Sequence, residues 1–125
     1  MNTAATCAKD FYEILANKDD FIGRDLQVSE LGMVYRGPIQ DIRLTTSNRV
    51  IIKLEWLARK SSAKNQDDWR LASRGSYDYE APCDTIRRLE NGSIEIKVPL
   101  AWRGVVQTAD APRLSKPMVT TAQKV

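Results

Sequence analysis

The chain has 125 residues, enough for one domain with its own core and too few for two. Its 19 basic and 16 acidic side chains leave a net charge of +3, and its apolar and charged fractions, 42% and 28%, are those of an ordinary globular fold. It contains no histidine, which removes the commonest general base and the commonest metal ligand.

Two cysteines, Cys7 and Cys83, are too few for a structural zinc site, which takes about four paired ligands. They permit one disulfide. Without a secretory signal in MNTAATCAKDFYE, a reduced, cytoplasmic pair of inert thiols is the simpler reading. No apolar run reaches membrane-spanning length. No metal, cofactor or membrane partner is expected. The charge is uneven: residues 1–30 hold six acids against three bases, and residues 31–125 hold sixteen bases against ten acids. An acidic front and a basic body favour self-contact or an anionic partner.

The first element is a helix over residues 4–17. Cys7, Phe11, Ile14 and Leu15 recur at i, i+4, i+7 and i+8, one face of a 3.6-residue period. Asn17 to Asp20 ends it. From Phe21 the period changes to two. Leu26 and Val28 alternate with polar neighbours, and Met33-Val34-Tyr35 leads to Arg36. Gly37-Pro38 suits a sharp bend or an edge, not a central strand. The parity then slips between Ile39 and Ile42, which predicts a bulge.

Val50–Ala58 reads as one strand, with Val50, Ile52, Leu54 and Trp56 on a core face and Ile51, Lys53, Glu55 and Leu57 on a mixed face. Arg59–Asp68 is a polar loop. Trp69–Tyr79 alternates loosely. Asn91-Gly92, between Ile86–Glu90 and Ser93–Val98, predicts a β-hairpin with a type I′ turn. Ile94, Ile96, Val98 and Leu100 are its expected core face. Ala101–Gln107 is one more short strand, and residues 108–125 read as a flexible tail. The expected architecture is mainly β (α+β): a single domain over 1–107, with an N-terminal helix and a strongly bent antiparallel barrel or half-barrel of five or six strands.

Catalytic patterns are poorly supplied. Neither cysteine has a histidine to deprotonate it. Asp67-Asp68 and the pair Asp78 and Glu80 are the remaining acid–base candidates. The six glycines make no phosphate-binding spacing. Trp102 beside Arg103 is a candidate for stacking a base. If residues 33–45 and 101–107 form neighbouring strands, Arg36-Gly37 and Arg103-Gly104 meet in a phosphate-sized basic patch.

The order of elements, with YRGPIQDI early and IEIKVPLAWRGVV late, resembles the Sm-like (LSm) small β-barrel over about residues 5–107. The resemblance implies edge-strand pairing into ring-shaped homo-oligomers and contact with RNA. The early motif's base-binding acid has only Asp41 to match it here, and Trp102-Arg103 stands where the family has an aliphatic residue before Arg-Gly. The reading placed first is a non-catalytic structural or protein-interaction module, self-associating, with Ile51 and Leu57 at its interface. The alternative is a module for RNA or single-stranded DNA using Arg36, Lys53, Arg59, Lys60, Trp102 and Arg103. A carboxylate-based ligand-binding or enzymatic barrel is third.

Overall fold

The structure, a computed structural model, describes residue 7 and residues 9–62 and 68–118. Helix α1 (Lys9–Ala16) buries Phe11 and Ile14. It stops where the Asn17 backbone N–H and side-chain amide both donate to the Glu13 carbonyl. Among the described residues, nine strands follow: β1 (Asp25–Glu30), β2 (Met33–Leu44), β3 (Arg49–Leu54), β4 (Leu57–Ser61), β5 (Arg70–Ser73), β6 (Tyr77–Pro82), β7 (Ile86–Arg88), β8 (Ile94–Val98) and β9 (Trp102–Val106).

They form an antiparallel network that does not close into a barrel. Seven strands lie in the order β5-β4-β2-β1-β9-β8-β7, and β3 and β6 branch from β2. The first half of β2 pairs with β1 and β4, and the second half pairs with β3. The switch falls at Gly37-Pro38. A Cβ on Gly37 would collide with the Trp56 carbonyl, so the crossing of β2 by the chain after β3 requires glycine there. The expected bulge is present as a register shift between Ile39 and Asp41.

The strand count exceeds the five or six expected for two local reasons. The run Val50–Ala58 breaks at Glu55-Trp56, where the Glu55 N–H leaves the ladder and donates to the Pro38 carbonyl. Its apolar face is nevertheless core: Val50, Ile52, Leu54 and Trp56 are all buried. The segment 69–79 also contains a turn, so it supplies two strands, β5 and the start of β6.

Two further expectations change. Cys7 and Cys83 form a disulfide, not a reduced pair. It fastens the chain just before α1 to the turn that enters β7, and cross-linking residues 76 apart restricts the unfolded chain by several kcal/mol, about 2–4 in practice. Leu100 is fully exposed, because β8 ends at Val98 and Leu100 occupies the turn beyond it.

The edges of the seven-stranded sheet are guarded. At β7, Asp10 of α1 accepts the Arg88 backbone N–H at 2.9 Å and Glu13 approaches the Arg88 guanidinium at 3.8 Å. At the other edge β5 is only four residues long and irregular in register against β4. Short, irregular or covered edges resist pairing with another chain.

The segment after β9 crosses the start of β1. The Leu114 N–H donates to Asp25 Oδ2 at 2.7 Å, the Pro112 carbonyl accepts from Arg36 Nη2 at 2.7 Å, and Lys116 reaches the Arg74 carbonyl at 3.4 Å. Asp25 is 1% exposed and also accepts from Arg36 Nε at 2.7 Å. A buried charge needs such partners, and here they tie β1, β2 and residues 112–114 together.

Candidate binding face

Strand alternation puts Gln27 and Ser29 of β1 on the side of the sheet opposite Leu26 and Val28, which are buried. Register then carries this outer face sideways. Gln27 is opposite Arg36 on β2 and Val105 on β9; Ser29 is opposite Val34 and Arg103; Val34 is opposite Lys60 on β4. Arg36, Lys60 and Arg103, from three distant parts of the sequence, therefore share one face.

Two grooves run along it and share Gln27. One, of about 300 Å³, is lined by Gln27, Val34, Arg36, Lys60 and Trp69. The other, of about 340 Å³, is lined by Gln27, Ser29, Glu95, Arg103, Val105 and Gln107 with Gly104. In the first, Lys60 Nζ lies 5.5 Å from the centre of the Trp69 ring, a cation–π contact that leaves both groups at the groove. In the second, Glu95 is shared by two cations, Arg103 at 3.8 Å and Lys97 at 3.7 Å. One carboxylate between two exposed cations leaves an excess of positive charge.

The expected Arg36–Arg103 patch is altered by one strand. Strands β2 and β9 do not pair, because β1 lies between them. The two arginines stay on the same face but are separated by β1, and each is engaged by an acid of its own, Asp25 or Glu95.

Other candidate residues fall elsewhere. Trp102 is buried, its ring lying over Gly104 with a carbon 2.8 Å from where a glycine Cβ would be, and 5.2 Å from the Tyr79 ring. It is a core residue with no face to offer a base. Burial also pushes the Tyr79 hydroxyl well above its ordinary pKa. Arg59 pairs with Tyr35 on the reverse side of β4 from Lys60. Lys53 sits in register between Asp41 and Asp78 on the outer face of β2-β3-β6. Ile51 is half-buried on that same face between Arg43 and Glu80. Leu57, the other expected interface residue, is 3% exposed and belongs to the core.

The β2-β3-β6 face is closer to charge balance. Arg49 meets Glu80 at 3.1 Å, and Lys18 donates to Asp41 at 3.0 Å, holding that carboxyl below its ordinary range. Asp41 is thus occupied where the Sm-like resemblance would have it meet a base. Asp78 and Glu80 are exposed side chains on the same face. Asp67 lies outside the described residues. Among the described residues, no three His, Cys, Asp or Glu side chains come together as metal ligands, and no helix is long and apolar enough to cross a membrane.

Sequence reasoning missed Gln27, Ser29 and Trp69 as members of the face. The alternation of Leu26 and Val28 already implied that Gln27 and Ser29 point away from the core. Nothing local placed Trp69 next to Lys60, since they flank a polar loop of unpatterned sequence.

Comparison with protein-family models, curated proteins and solved structures finds no match for this chain.

Proposed function

We propose that this protein is a non-catalytic interaction module that binds an acidic partner protein through the outer face of its seven-stranded sheet. One observation carries the reading: Lys60 and Arg103 stand on one face of the sheet, beside two grooves that share Gln27, while Arg36 between them is held by Asp25 and the Pro112 carbonyl. Polar groups around a shallow groove suit recognition of an extended acidic segment. The guarded edges of the seven-stranded sheet favour its face over pairing along those two edges as the contact surface. The absence of histidine and the removal of both thiols into a disulfide fit a binding role. The disulfide also favours an oxidising compartment over the reducing cytoplasm.

A second reading has support from the Trp69 groove. The Trp69 ring beside Lys60 combines a stacking surface with a phosphate-seeking cation, the ingredients for single-stranded nucleic acid.

Fluorescence anisotropy with labelled polyglutamate and labelled oligouridine separates the two. The module reading expects polyglutamate binding at low salt, weakened about tenfold or more by Lys60→Glu with Arg103→Glu and unaffected by Lys53→Glu. Tighter binding of oligouridine, lost in Trp69→Ala, supports the nucleic-acid reading. No binding of either probe at low ionic strength, where charge attraction is least screened, overturns both.

A further inference from the structure

Among the described residues, five tight turns contain a residue at positive φ, and two of them break the usual residue preference. The turn that enters β1 has Gly23 at φ 89°. In the β2–β3 turn the position is filled by Asn48 (φ 60°), and in the β7–β8 loop by Gly92 (φ 87°). Both are residues that tolerate the left-handed region. The β1–β2 connection is a two-residue turn between the paired Glu30 and Met33, with Leu31 at φ 49° and Gly32 at φ 78°. Positive φ at both central residues is the type I′ pattern, whose first position favours Asn, Asp or Gly. The β8–β9 turn closes with the Ala101 N–H on the Val98 carbonyl, Pro99 first and Leu100 second at φ 61°. That is the type II arrangement, whose second position favours glycine.

Leucine therefore stands at two positions that disfavour it, and core packing does not explain either one. Leu31 is 96% exposed and Leu100 is fully exposed. The two turns are neighbours at one end of the sheet. β1 and β9 pair with Ser29 opposite Arg103, so Leu31 lies two residues beyond one partner and Leu100 three residues before the other. Strained, exposed residues clustered in one place are a recurrent sign of a functional surface.

We propose that these two leucine tips insert into the interfacial layer of an anionic lipid surface. Two features of the molecule favour lipid over a protein occupant. The leucines amount to on the order of 300 Å² of apolar area, far below the roughly 1,200 Å² of a stable protein interface. Directly behind them, on the outer face, stand the exposed cations Lys97 and Arg103, paired in register with each other and sharing the single carboxylate of Glu95. Lys60 is one residue from the Ser61–Met33 pair at the same end. Cations behind an apolar tip are placed to meet anionic headgroups. The contact is a surface one and requires no spanning helix.

The test is co-sedimentation of the full chain with vesicles of phosphatidylcholine and phosphatidylglycerol in equal parts, and with phosphatidylcholine vesicles alone. The expected result is binding to the mixed vesicles that weakens in high salt and on phosphatidylcholine alone. Leu31→Asn and Leu100→Gly each lower the partition coefficient about tenfold, and together about a hundredfold. Both replacements suit the turn they enter, so the variants melt at or above the wild-type temperature, and lost binding does not report unfolding. A wild-type protein that stays in the supernatant with the mixed vesicles overturns the proposal. So does a double variant that binds as well as wild type. Self-association in light scattering that the double variant abolishes also overturns it, by assigning the tips to a second copy of the chain.

Discussion

At one end of the seven-stranded sheet, the β7–β8 loop closes with the Gly92 N–H on the Leu89 carbonyl and the Leu89 N–H on the Ser93 carbonyl. Gly92 takes the left-handed position, and the Arg24 guanidinium reaches its carbonyl at 3.4 Å. Close by, Asp25 gathers Arg36 and the Leu114 N–H. At the other end, Leu31 and Leu100 hold left-handed positions in the open. The first end has residues chosen for the backbone they adopt and cross-links that fasten it. The second has residues that oppose their backbone and touch little. The difference separates stability from contact: one end holds the sheet together, and the other gives up some stability for an exposed apolar surface.

This contrast is open to direct attack, most severely at Asp25. Replacing Asp25 with Ala leaves the half-buried Arg36 guanidinium and the Leu114 N–H without their shared acceptor, and breaking a buried pair in this way costs about 3–5 kcal/mol. Urea denaturation measures it as a lowered midpoint with an unchanged slope. A loss below about 1 kcal/mol would mean that the fastened end is not fastened by this carboxylate.

Next in size is Gly92→Ala. A Cβ there meets no neighbour within 4 Å, so the change reports backbone strain alone. About 1–2 kcal/mol of stability should be lost. An unchanged melting curve would show that the loop relaxes to another turn.

Much of this organisation is legible in the sequence, for physical reasons that differ from element to element. The parity slip after Ile39 and the Asn91-Gly92 hairpin follow from residues that constrain their own backbone, whereas Gly37-Pro38, expected as a bend or an edge, lies inside β2 where the strand changes partner from β4 to β3. The hairpin loop is nevertheless longer than the expected type I′ turn. Only Gly92 has positive φ, and the Asn91 side chain accepts from the Ser93 N–H at 2.9 Å and hydroxyl at 2.6 Å, which suits a three-residue loop ending in a left-handed glycine. The core face of β3 was equally plain from period-two alternation. What local pattern cannot supply is partnership. That β1 lies between β2 and β9 decides whether Arg36 and Arg103 touch, and no residue in either strand encodes it. Trp102 and Leu100 show the same limit in opposite senses. The tryptophan that looked available is folded over Gly104, and the leucine that continued a core alternation is two residues past the end of its strand.

The smallest effect is also the most discriminating. Leu31 and Leu100 stand against the preference of the turns they occupy, so replacing them should strengthen the fold. Equilibrium urea unfolding of the Leu31→Asn, Leu100→Gly double variant is the direct measurement. We predict a gain of about 0.5–1 kcal/mol per site. A double variant that is less stable than wild type would show that the two leucines serve the fold itself, and would contradict the separation of a fastened end from a contact end.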